Sequence, residues 1–223
     1  MVGLTDDVWG YVKFIQSVVS SYVCSKFGET CMMLNPSGLE KAKKARDNFF
    51  MKFAEEDQYE ALKNLQDIFS KEHLPDLTNE KYSGEFLHNN GHWTHIGRNV
   101  KKTTKDMPKL REALLKLIYE NTPIEKRFDD VVNPMGTYHV PGLGRAQATA
   151  ILMIVFPEKY GVWNQISEDC LKDWDMWPKL IHGESMGNHY QRINEKLKEL
   201  AEELSKDGRR VNFWILDYLF WYK

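Results

Sequence analysis

Apolar residues recur every three or four positions along most of the chain, which is the spacing of an amphipathic helix. In the N-terminal third this pattern covers residues 8–23, 39–53 and 59–69. Thr5 is placed to cap the first of these helices. Pro36 opens the second, because proline fits the first turn of a helix. The N-terminal third is therefore predicted to be a layer of helices.

The same spacing returns after Pro108 and continues to the end of the chain. The helices predicted there are residues 107–121, 124–132, 145–156, 167–174, 189–206 and 213–222. The last of them is apolar on almost every face, so it must be buried by the rest of the domain. Its one acidic residue, Asp217, must either face solvent or pair with a cation such as Arg145 or Arg192.

Residues 78–104 show no regular pattern and are predicted to form a loop. Three histidines in this segment have no acidic or cysteine ligand at a matching spacing, so a metal site is not indicated. These histidines are His88, His92 and His95. No segment of convincing length alternates as a strand does. The fold is therefore predicted to be all-α and multi-helical, with a helical region at 1–105 that ends in a basic loop and a helical domain at 106–223, packed as one unit.

The composition limits where the protein can act. A net charge of -2 and a pI near 6.4 show that the chain is not basic all over, so any nucleic-acid surface must be a local patch. The three cysteines include no Cys-x-x-Cys pair, which argues against a disulfide framework or a cysteine zinc site. No apolar run reaches the roughly 18 residues that a membrane span requires. We expect a cytoplasmic protein with no membrane contact, metal or cofactor.

The strongest local excess of positive charge lies at residues 98–116, where seven basic residues stand against two acidic ones. Such a patch is typical of a surface that binds phosphates. Trp93 and Phe86 lie beside it in the sequence and could stack on exposed bases. The alternative is that Trp93 belongs to the core and the lysines only solvate the surface. The seven basic residues are Arg98, Lys101, Lys102, Lys105, Lys109, Arg111 and Lys116.

Residues 137–164 hold the one local pattern that carries a mechanism. Its Pro-Gly-Leu-Gly stretch offers two glycines that can take positive φ, which suits a sharp reversal between two helices. The first amides of the following helix have no partner within it, and the positive end of its dipole lies beside them. Together they can hold a phosphate. The residues concerned are Gly142, Leu143, Gly144, Arg145 and Ala146.

The stretch Val140-Pro141-Gly142-Leu143-Gly144-Arg145 resembles the hairpin of the helix-hairpin-helix proteins in the DNA glycosylase superfamily. The likeness continues without a gap to Val162-Trp163-Asn164. It implies a glycosylase-like fold that grips a backbone phosphate of duplex or single-stranded DNA. It also implies a role in DNA repair, in which a modified or damaged base is recognised or excised near Trp163.

Two departures from the family pattern bear on the chemistry. Ala146 stands where lyase-type members carry a nucleophilic Lys, so no Schiff base and no strand cleavage are expected. Asn164 stands where the family has its essential Asp, and an amide cannot act as an anionic base. Glu168 or Asp169 could substitute for the missing carboxylate. If the protein is an enzyme, the resemblance therefore implies a monofunctional glycosylase that activates water.

Two functions from different classes remain open. In the first, the protein binds DNA, and Arg145 and residues 98–116 supply counter-charges to the phosphates. In the second, it is a helical protein-interaction or scaffold domain, the glycine turn only joins packed helices, and the partner is a protein. The salt dependence of DNA binding separates the two, since phosphate contacts weaken steeply as salt is added.

Overall fold

The computed structural model describes residues 34–53, 55–88, 90, 92, 93 and 97–221. The chain separates into two compact units, residues 1–34 and 35–223, and nearly all described residues belong to the second. The helix predicted at residues 8–23 lies outside the described residues.

The described residues form helices and no strand, so the predicted all-α class is confirmed for them. The α-helices are α1 (Pro36–Lys52), α2 (Glu55–Ile68), α3 (Val100–Thr103), α4 (Met107–Ile118), α5 (Ile124–Val132), α6 (Arg145–Val155), α7 (Gln165–Asp173), α8 (Met186–Leu204) and α9 (Phe213–Trp221). A 3-10 turn at Leu74–Asp76 and a π-helix at Lys81–His88 lie between α2 and α3. None of these helices is long and apolar enough to cross a membrane.

Helix α6 lies at the centre of the second unit, where it contacts α2, α4, α5 and α9. Eight of its 11 residues are buried. Ala148 and Ala150 let neighbouring helices approach closely, while Ile151 and Leu152 fill the core. Burying each of the two larger side chains stabilises the fold by about 1.5–3 kcal/mol. The helix that follows the glycine turn is therefore fixed from several sides.

Side-chain caps decide where α7 and α8 begin. Asn164 and Ser167 cap α7 reciprocally, so this helix begins at Gln165, before its predicted start at residue 167. Ser185 accepts a hydrogen bond from the backbone N–H of Asn188 at 3.2 Å, so α8 begins three residues before its predicted start at residue 189.

The prediction of a loop over residues 78–104 is wrong in part, because the π-helix and α3 both lie within it. The cause is tertiary packing, which overrides a weak local pattern. Tyr82 and Phe86 on the π-helix are fully buried. The ring centroid of Phe86 lies 4.9 Å from that of Phe69, which follows α2.

Asp217 is buried, and the partners predicted for it are wrong. Its carboxylate accepts a hydrogen bond from the indole N–H of Trp93 at 2.8 Å. It also lies 2.7 Å from Nε2 of His92. Arg145 and Arg192 pair with other carboxylates. Trp93 is 5% exposed and belongs to the core.

Candidate nucleic-acid interface

The two glycines of the Val140–Gly144 turn have different roles. Gly142 adopts a φ of +94°, and a Cβ at this position would lie 2.6 Å from Oγ1 of Thr103 on α3. Glycine is therefore required there. Gly144 has φ -91° and ψ 178°, which any residue can adopt, and a Cβ there would meet open space. Contrary to the sequence-based expectation, only one of the two glycines uses positive φ, and the other leaves a clear approach to α6.

The contact between Gly142 and α3 joins the turn to the predicted basic patch. Two members of that patch have structural partners. Arg111 donates to the carbonyl of Leu77 at 2.9 Å, and Lys116 lies 3.6 Å from the Asp130 carboxylate. Four cations in and beside α3 are exposed and form no ion pair with any described residue. They are Arg98, Lys101, Lys102 and Lys105.

Helices α6 and α7 both begin with unbonded backbone N–H groups. In the described part of the chain, Arg145 and Ala146 donate no backbone hydrogen bond, and neither do Gln165 and Ile166. The starts of both helices line one cavity of about 550 Å³. The positive ends of two helix dipoles therefore meet at the same place.

The rest of the cavity wall adds a cation, side-chain amides and two indole rings. Arg98 supplies the cation, and Gln147 and Asn164 are among the amides. Trp93 forms part of the buried wall, while Trp221 is 40% exposed. No Asp or Glu of the described ranges lines this cavity. A wall of this composition suits an anion attached to a planar ring.

The Arg145 side chain links α6 to α7 through an ion pair. Its guanidinium lies 3.1 Å from the Glu168 carboxylate and stacks over the buried Trp163 ring, with Cζ 4.6 Å from the ring centre. Burial alone would raise the pKa of Glu168, but the hydrogen bond from Lys172 and the charge of Arg145 outweigh it. The pKa of Glu168 therefore lies below its ordinary value. The Arg145 side chain is therefore occupied by Glu168 and Trp163, and Arg145 does not line the cavity.

The groups considered for catalysis have other partners. Asn164 accepts a backbone N–H at 2.9 Å as the cap of α7. Glu168 is engaged by two cations, and Asp169 accepts a hydrogen bond from the Gln165 side chain at 2.9 Å. Of the three candidates only Asn164 lines the cavity. Among the described residues, no carboxylate is placed there to activate water.

The histidines of the segment before α3 have separate surroundings. Nδ1 of His88 contacts the carbonyl of Ser83, and His92 is bonded to Asp217. His95 lies outside the described residues. No group of three or more ligating side chains that could hold a metal is found in the described part of the chain.

A second cavity, of about 590 Å³, lies beside the start of α5, and four of its polar side chains bind one another. The Tyr160 hydroxyl donates to Glu120 at 2.7 Å, and Arg127 donates to Tyr160 at 2.8 Å. Lys159 donates to Glu120 at 2.6 Å. Burial alone would raise the pKa of Glu120, but the hydrogen bonds from Lys159 and Tyr160 outweigh it, so this pKa also lies below its ordinary value.

Sequence reasoning missed five residues of the first cavity, namely Asn99, Gln147, Gln165, Ile166 and Trp221. Trp221 belongs to a helix that is apolar all round, so nothing in the pattern marked its ring as partly exposed. Asn99 gave no signal, because it joins the cavity only through the packing of α3 against Gly142.

The chain matches no protein-family model, no curated protein and no solved structure. Its function is therefore inferred from its own residues. The strongest indication of a binding site is that the N-terminal residues of α6 and α7 and the Arg98 side chain line the same cavity.

Proposed function

We propose that the protein binds DNA by gripping a backbone phosphate where the starts of α6 and α7 meet. The observation that carries this proposal is the cavity beside Arg98 that is lined by Ala146 of α6 and by Gln165 and Ile166 of α7, whose backbone N–H groups are unbonded. Each helix start is equivalent to roughly half a positive charge, so a bound phosphate would interact with two of them. Lys101, Lys102 and Lys105 would serve as counter-charges for neighbouring phosphates.

In this proposal Val140–Gly144 is the turn of a helix-hairpin-helix element in a glycosylase-like fold. Gly142 is supported in its role by its close packing on α3, which sets the position of the turn. Gly144 is supported by the open space around it, which lets a phosphate approach the amides. The overall charge of -2 fits a local grip and not a basic surface.

Within this function we propose recognition of a base and not its excision. The Ala146 methyl group cannot form a Schiff base. Asn164 caps a helix, and Glu168 and Asp169 are bound elsewhere. Losing a well-placed carboxylate commonly costs about a hundredfold in rate. Among the described residues, no carboxylate lines the cavity to drive hydrolysis.

Salt dependence tests the binding proposal. Fluorescence anisotropy with a labelled short duplex and a labelled single strand would give Kd over a series of KCl concentrations. We expect log K to fall linearly with log salt, with a slope of about -0.9 for each phosphate contact on duplex DNA. Absence of binding to both probes, or binding that salt does not weaken, would contradict the proposal and favour the protein-interaction domain.

Release of free base tests the second part. Uracil-, alkyl- and oxidised-base duplexes incubated with the natural protein should release no base and give no product that borohydride traps. Asn164→Asp keeps a good helix cap, so the variant should remain folded. Its new carboxylate should raise any weak release. Robust release by the natural protein would contradict recognition without excision.

A further inference from the structure

The second half of α1 and the turn that follows α8 form one exposed surface. The buried Arg46 of α1 joins them, because its guanidinium donates to the carbonyl of Leu204 at 2.7 Å. Arg209 also lies against α1, with Cζ 5.5 Å from the centre of the Phe50 ring and a guanidinium nitrogen 3.8 Å from the Asp47 carboxylate. This α1 surface is defined by Lys43, Lys44, Asp47, Phe50, Met51 and Arg209.

Two rows of side chains run along the outside of α1 toward its end, because residues four and seven positions apart lie on the same side of a helix. One row joins Lys43 to Phe50, and the neighbouring row joins Lys44 to Met51. Seven residues of helix rise by about 10 Å. Each row therefore carries a lysine at one end and an apolar side chain about 10 Å away.

The apolar end of this surface is open to solvent. Met51 is 76% exposed, and Phe50 is half-buried beneath the Arg209 guanidinium. Methionine adapts its shape readily to a partner, and arginine and aromatic residues are enriched in protein interfaces. An apolar centre with a charged rim is the usual composition of such an interface.

The charge of this surface is basic, but carboxylates are mixed into it. Helix α1 and residues 205–210 hold eight basic residues against three acidic ones, in a chain whose total charge is -2. Lys43 and Lys44 form no ion pair or hydrogen bond with any described residue. Asp47 stands between these lysines and the apolar end, where it would repel a continuous row of phosphates. Separate carboxylates of a protein therefore fit this surface better than a nucleic-acid backbone does.

We propose that the α1 surface binds an amphipathic acidic helix of a partner protein. Acidic side chains of that helix pair with Lys43 and Lys44, and an apolar side chain seven positions away packs on Phe50 and Met51. This binding is separate from the proposed DNA site, because none of the α1 residues, which the structure describes in full, lines the cavity at α6 and α7.

Fluorescence anisotropy with a labelled peptide tests the spacing of the two ends. The probe is an alanine-based helix that carries two adjacent glutamates and a leucine seven positions beyond them. The control peptide has the same composition, with the glutamates on the opposite face of its helix. The probe should bind roughly tenfold more tightly than the control peptide. Equal binding of the two peptides, or no binding of the probe, would overturn the proposal.

Charge reversal tests the pairing. The double variant Lys43→Glu, Lys44→Glu should bind the probe roughly tenfold more weakly, and should instead bind a probe whose glutamates are replaced by lysines. Lys126→Glu with Lys179→Glu reverses two exposed lysines elsewhere and should bind the original probe as the natural protein does. Met51→Gln changes an exposed side chain and should cost about tenfold in affinity. Equal losses in the two double variants, or no loss in Met51→Gln, would overturn the proposal.

Duplex DNA and lipid vesicles separate this partner from two other classes that a basic surface attracts. The double variant at Lys43 and Lys44 and Met51→Gln should both keep the duplex affinity of the natural protein. A loss of duplex binding that matches the loss of peptide binding would overturn the proposal in favour of a phosphate surface. Binding of phosphatidylserine vesicles by the natural protein but not by Met51→Gln would overturn it in favour of a membrane surface. Peptide binding without any duplex binding would support the α1 surface and contradict only the proposed DNA function.

Discussion

The two cavities differ in how their polar groups are satisfied, although their volumes are similar. In the cavity beside α5, Glu120, Arg127, Lys159 and Tyr160 bind one another. In the cavity at the starts of α6 and α7, the helix N–H groups and Arg98 have no such partners among the described residues. Arg98 is exposed and the residues at the two helix starts are exposed or half-buried, so their donors are free to bind a ligand, whereas the donors of the other cavity are already bonded to one another.

The largest effect on stability should come from removing a side chain of the hydrogen-bonded cluster in the cavity beside α5. Arg127 is 1% exposed and donates hydrogen bonds to Thr122, Leu117 and Tyr160. Arg127→Met would leave these acceptors unpaired and should lower the free energy of unfolding by about 3 kcal/mol. Urea denaturation measures this loss. The DNA affinity of the folded variant should be unchanged, and a parallel loss of affinity would erase the distinction between the cavities.

The next effect concerns the two glycines. Gly142→Ala places a Cβ against Thr103 at positive φ and should cost about 2 kcal/mol of stability. Gly144→Ala has ordinary φ and open space, so its stability should stay within about 0.5 kcal/mol of the natural protein. Thermal unfolding compares them directly. Equal destabilisation would show that the turn is not anchored on α3 through Gly142.

A smaller effect, on DNA affinity, should distinguish the lysines of α3 from those of the cavity beside α5. Replacing Lys101 and Lys102 by Ala should weaken duplex binding by about tenfold and reduce the salt slope by roughly 1 for each lost phosphate contact. Replacing Lys159 and Lys198 of the second cavity by Ala is the charge-matched control and should leave binding nearly unchanged. Equal losses from both pairs would mean that DNA binding is diffuse.

The smallest expected effect is a pH dependence of the stability that the ion pair between Arg145 of α6 and Glu168 of α7 contributes. The pKa of Glu168 is lowered in the folded protein from an ordinary value of 4.5, so its contribution is present above that pH and is lost as the pH falls through the folded-state pKa. Glu168→Gln should therefore lower the unfolding free energy at neutral pH, by under about 1 kcal/mol. This difference should shrink below about pH 4 in urea titrations. A difference that stays constant with pH would rule out the ion pair with Arg145 and Lys172 as its cause.

The helices could be predicted from the sequence because periodicity and caps are local signals. The apolar pattern after Gly144 predicts a helix, and α6 forms there. The contact of Gly142 with Thr103 could not be predicted, since it depends on how α3 packs. The partner of Asp217 was missed for the same reason, because His92 lies 125 positions away. The local sequence was enough to predict the turn. The cations, the start of α7 and Trp221 lie beside it only because of tertiary packing, which the local sequence does not reveal.

The most direct test of the phosphate grip is the duplex affinity of Gly144→Asp compared with Gly84→Asp. A Cβ at either glycine meets open space, so both variants should fold, and each adds the same negative charge. Gly144→Asp should weaken binding by roughly a hundredfold, because it sets a like charge where the phosphate approaches. Gly84→Asp should bind almost as the natural protein does. Unchanged affinity in folded Gly144→Asp, or equal losses in both variants, would contradict a grip at the starts of α6 and α7.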